Sequence, residues 1–117
     1  MPTGKIDLAT SEISVFHKGM PISAHGKSVK DFLATNVNLF SAGFQFPIMV
    51  LRESALEHNI TRMANYCKSL GFELAPHVKT PMAPQIAARQ IAAGAWGLTV
   101  ANFNQANIMF EFGFKRL

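Results

Sequence analysis

At 117 residues the chain has room for one small domain with a modest core, and 49% hydrophobic against 15% charged residues excludes a disordered or coiled-coil protein. Its net charge is +4, yet the 11 basic residues are scattered, without runs or interleaved aromatics, which argues against nucleic acid as a partner. A single cysteine, Cys67, rules out an internal disulfide framework. With no apolar run approaching about 18 residues and no secretory signal in Met1-Pro2-Thr3-Gly4-Lys5-Ile6-Asp7, a cytoplasmic protein with no membrane partner is expected.

Residues 1–45 mix Gly4, Gly19, Pro21, Gly26 and Gly43 with serines and short apolar patches, so an irregular N-terminal leader is expected, with a helical turn or two around 29–39. Residues 46–117 are periodic. Strand candidates at 46–51, 72–75 and 96–101 alternate with three helical stretches. The first helix has Ser54 and Glu57 as a capping box and a stripe of Leu56, Ile60, Met63, Cys67 and Leu70 that must be buried, with Gly71 as its stop. The second takes Thr80 as N-cap and Pro81 as first residue, and ends at Gly94. Asn102 or Asn104 caps the third, which stops at Gly113.

Strands joined through helices run parallel with right-handed crossovers. The expected fold class is therefore α/β, a partial (β/α)8 barrel of about three βα units behind the leader. Phe114-Lys115-Arg116-Leu117 reads as the approach to a further strand, so the chain is expected to be a truncated portion of such a barrel. In that fold all three strand-to-helix junctions share one rim, which brings Arg52, Lys79 and Asn102 together.

Lys79 carries the chemistry in this reading. It lies where an apolar strand has run out and a helix has yet to begin, so its ammonium is expected to be partly desolvated and available for condensation with an aldehyde. His77 shares its alternation and points the same way. Thr80 is better read as a helix cap than as a ligand, Arg52 as a structural or solvated residue, and Trp96, Phe103, Phe110, Phe112 and Phe114 as core. His17, His25, His58 and His77 lack metal-ligand spacing, so no metal site is expected in this chain, and no Gly-rich phosphate loop occurs.

The stretch Leu74-Ala75-Pro76-His77-Val78-Lys79-Thr80-Pro81-Met82-Ala83-Pro84-Gln85, followed by Ala93-Gly94-Ala95-Trp96-Gly97-Leu98-Thr99-Val100-Ala101, resembles the alanine-racemase-like, fold-type III pyridoxal-phosphate enzymes. The likeness covers roughly residues 45–117 and is nearest to the amino acid deaminase, D-serine dehydratase and D-threonine aldolase branch. It implies that Lys79 is both the catalytic and the cofactor-binding lysine, holding pyridoxal 5'-phosphate as an internal aldimine and later serving as acid or base at the substrate α-carbon. It also implies a cofactor contact for His77, though a packed structural histidine is an equal reading.

The implied activity is a lyase acting on D-amino acids, by β-elimination to a keto acid and ammonia or by retro-aldol cleavage. Ala75 stands where that group often has arginine, which favours the deaminase-like subgroup. A non-catalytic pyridoxal-phosphate carrier and an inactive truncated remnant are the alternatives. The phosphate cup, the ring-nitrogen partner and any divalent-metal site are expected beyond these residues, and a homodimer is expected of the full-length protein.

Overall fold

The computed structural model describes residues 8–117, so the first residues of the expected leader, 1–7, lie outside it. Two compact units are formed, one from residues 8–50 and the other from Leu51–Leu117.

In the first unit, Ile13, Ala24 and Phe32 are buried together, with Met20, Val29, Val37 and Phe44 packed around them. Helix α1 (Val29–Leu33) starts at Ser28, whose Oγ accepts from the Asp31 amide at 3.0 Å and donates to Asp31 Oδ2 at 2.7 Å. This satisfies one of the amides that every helix start leaves unpaired. An antiparallel bridge between Glu12 and Ser28 closes the loop over the 3-10 turn Ile22–Ala24. Phe32 meets Phe44 edge to face at 6.2 Å, the arrangement that ring quadrupoles favour.

The second unit contains helices α2 (Glu53–Ser69), α3 (Pro84–Ala92) and α4 (Phe103–Glu111). Its core is Val78, Ala87, Leu98, Met109 and Phe114. All three helices end in the same way. Gly71, Gly94 and Gly113 take positive φ, and the residue after each glycine donates back into the last helical turn: Phe72 to Cys67 O, Ala95 to Gln90 O, and Phe114 to Met109 O. These are Schellman closures, which pair carbonyls that would otherwise be orphaned.

The helix starts depart from expectation. The Ser54–Glu57 capping box does not form, because α2 begins two residues earlier, with Arg52 at the N-cap position and no side-chain cap. Glu57 instead joins Glu53 on Arg89 of α3, at 2.6 and 2.8 Å. Helix α3 begins at Pro84 rather than Pro81. A proline in the second turn would lack its amide and clash with the preceding carbonyl, and it drives Ala83 to extended backbone, at φ −106° and ψ 99°. Asn102 does cap α4, accepting from the Gln105 amide at 3.0 Å.

The partial parallel barrel is not formed. Among the described residues there is no strand and no sheet, only the isolated bridges Glu12–Ser28 and His77–Thr99. The expected strand 46–51 stays unpaired in any ladder, with Met49 and Leu51 exposed, and Pro47 has no amide to give one. The expected strand 72–75 meets the expected strand 96–101 through one backbone bond, Trp96 N–H to Leu74 O at 2.8 Å, and a single parallel rung forms just past its end: Thr99 N–H donates to Pro76 O and Val78 N–H to Thr99 O, each at 2.9 Å. The next rung, two residues back, would need an amide proton on Pro76, which has none, and the ladder stops there.

Candidate active site

The site is built outward from Val78. Its side chain is 2% exposed in the core, where burial of a valine contributes about 1.5–3 kcal/mol, and its amide is bonded to Thr99 O. Thr99 is tied back a second time, its Oγ1 donating to Ala75 O at 2.7 Å. Immediately after this anchor the chain turns. Met82 N–H returns to Val78 O at 3.0 Å, so Lys79, Thr80 and Pro81 form the tip of a closed five-residue turn.

Closing it puts Met82 at φ 39°, left-handed backbone that few residues other than glycine adopt. Lys79 and His77 are both exposed at the surface of this turn. The dry setting expected for the Lys79 amine is therefore not supplied by the described residues. The two residues are joined directly: Lys79 N–H donates to His77 Nδ1 at 3.2 Å. Lys79 is thus a primary amine on a backbone pinned by a core side chain, a closed turn and a neighbouring imidazole.

The shared rim of Arg52, Lys79 and Asn102 presupposed a sheet, and without one each residue serves its own segment. Arg52 is the uncapped start of α2 and Asn102 spends its side-chain oxygen on the α4 amides. Thr80 is exposed within the turn and caps nothing, because α3 starts four residues later. Of the aromatics expected in the core, Phe114 is buried and Phe112 partly so, whereas Trp96, Phe103 and Phe110 are exposed. The Arg116 guanidinium lies 5.4 Å above the Trp96 ring, a cation-π contact.

A groove of about 690 Å³ opens between α2 and α3, lined by Leu56, Ile60, Met63, Cys67, Phe72 and Leu74. Neither Lys79 nor His77 lines it. It exists because the apolar stripe of α2 is only half covered: Ile60 and Cys67 are buried, while Met63 and Leu70 are not. The Lys79 amine lies elsewhere. Among the described residues no group of three His, Cys, Asp or Glu is placed to hold a metal ion, and no helix is long and apolar enough to cross a membrane.

Sequence reasoning overlooked Met82, Thr99 and Arg89. The run Pro81-Met82-Ala83-Pro84 held a usable signal for the first, since two prolines bracketing two residues leave little but a turn. Arg89 is fixed by Glu53 first and Glu57 second, and those hydrogen bonds hold its guanidinium above the usual arginine range.

No family model matches the chain. Over 67 residues, 57% of its length, it is 39% identical to the D-threo-3-hydroxyaspartate dehydratase of Delftia sp. (strain HT23), and the match spans 18% of that enzyme.

Proposed function

We propose that the chain is part of a pyridoxal-phosphate-dependent lyase of the dehydratase type, with Lys79 as the residue that carries the cofactor. The observation behind this is the Lys79 turn, a primary amine exposed on an anchored backbone, in a chain similar to an enzyme named as a dehydratase of a 3-hydroxy amino acid. The donor set fits the group on the side of its aldehyde: Lys79 is exposed among the described residues, and an accessible amine meets the condensation requirement.

When bound, the cofactor supplies a ring that withdraws electrons from the substrate α-carbon. Lys79 would hold the cofactor through its aldehyde, and its amine, when not so engaged, would be placed to move the proton at the substrate α-carbon. The buried Val78 fixes where its Cα stands, so the flexible part is the side chain alone. The β-hydroxyl leaves together with the α-proton as water, and one water is taken up as the amine is hydrolysed off, so a 3-hydroxy D-amino acid gives a 2-keto acid and ammonia with no net change in water. It needs no external oxidant or reductant.

The similarity to a named dehydratase favours elimination over retro-aldol cleavage. Ammonia and keto acid release from D-serine and from D-threo-3-hydroxyaspartate, together with the visible absorbance of the bound cofactor, tests the proposal. Both signals should vanish in Lys79→Ala. An unchanged spectrum in that variant contradicts the assignment, and glyoxylate release from D-threonine would replace elimination with aldol cleavage.

A further inference from the structure

We infer that His77 is a positioning residue for Lys79, working as a neutral imidazole protonated on Nε2, whose Nδ1 holds the Lys79 amide. The inference rests on the reading of Lys79 as the cofactor amine. Its geometric basis is the 3.2 Å bond from Lys79 N–H to His77 Nδ1. A ring nitrogen that accepts a hydrogen bond carries no proton, so in the neutral ring the hydrogen must sit on Nε2. The imidazolium has a donor at each nitrogen. Protonation therefore replaces acceptance with two N–H groups facing one another, and the Lys79 peptide is released on that side.

The backbone on either side is held without the ring. Thr99 bonds both Pro76 O and the Val78 amide, and Met82 closes on Val78 O. Loss of the imidazole should consequently leave the fold intact and change only the freedom of the Lys79 peptide. The segment 96–101 that pairs with His77 contributes no titratable side chain, and the segment 72–79 adds only Glu73 and Lys79 itself. Arg89 of α3 is occupied by Glu53 and Glu57.

Two readouts test this on the isotopically labelled chain. Long-range imidazole correlations should place the neutral-ring proton on Nε2, and on acidification the Lys79 amide should shift with the same midpoint as the His77 ring. In His77→Ala that midpoint should disappear from the Lys79 amide. In His77→Asn the side-chain oxygen can accept the bond but does not titrate, so the amide should keep its high-pH position throughout. Borohydride-trapped labelling of Lys79 by pyridoxal phosphate should slow about fivefold in His77→Ala, the equivalent of one ordinary hydrogen bond, and recover to within about twofold in His77→Asn.

A proton on Nδ1, a Lys79 amide indifferent to the His77 titration, or unchanged labelling in His77→Ala overturns the inference while leaving the lyase reading in place. Wild-type chain that takes no label at Lys79 overturns the cofactor reading and the positioning role with it, whatever the amide does.

Discussion

The turn around Lys79 and the stripe along α2 draw on the same kind of apolar residue, yet Val78 is 2% exposed and Met63 is 49% exposed. The difference is company. Val78 is met by Leu98, Ala87, Met109 and Phe114 from three other segments, whereas α2 is tied across to α3 chiefly by Arg89 and its two glutamates. An apolar stripe states that a face wants burial, and only a partner of matching shape supplies it. Lys79 directly follows the residue of this unit that has its partners.

The comparison breaks most visibly at the core. Met109→Ala empties a fully buried site and should cost about 2–5 kcal/mol, while Met63→Ala on the open stripe should change stability by no more than about 0.5 kcal/mol, both read from denaturant unfolding. Equal losses would mean that the stripe is covered in solution. Next in size is Gly97→Ala. A Cβ there would lie 2.9 Å from Arg116 O, and backbone cannot step aside cheaply, so a loss of about 1–3 kcal/mol is expected in the same unfolding measurement.

How much of this was legible in the residues depends on how local each feature is. The three helix ends could be read directly, because Gly71, Gly94 and Gly113 each adopt the positive φ that glycine alone takes without cost. Helix starts were harder. Ser54-x-x-Glu57 has the form of a capping box, but Glu57 is claimed by Arg89, a residue 32 positions away that no local pattern reveals. Strands failed for a related reason, since a ladder needs donors on both sides and Pro76 withholds one at the rung that would have extended His77–Thr99. At the site, the motif singled out Lys79 and His77, but the direction of the bond between them depends on a turn closed by Met82 in a conformation its side chain does not favour.

Smaller effects sharpen the picture. Asn102→Ala removes the oxygen that accepts from the Gln105 amide and should cost about 1 kcal/mol, whereas Asn102→Asp should restore the cap, with helix content and melting midpoint as the measures. The smallest effect is expected from Arg89→Gln, which should destabilise slightly and only at low salt, since the pair is partly exposed. Its sign with pH is fixed by direction: a guanidinium raised above its ordinary range contributes fully below the unfolded value and loses that contribution only as pH climbs through the folded one. Arg89 should therefore add no slope to stability across about pH 6 to 9, and a slope that disappears in Arg89→Gln would contradict this.

The most direct measurement is where pyridoxal phosphate attaches. After borohydride reduction and peptide mapping, the label should concentrate on Lys79, with Lys5, Lys18, Lys27, Lys30, Lys68 and Lys115 nearly bare. Label spread evenly over the surface lysines, with Lys79 no richer than the rest, would contradict a fixed turn that presents one amine for this chemistry.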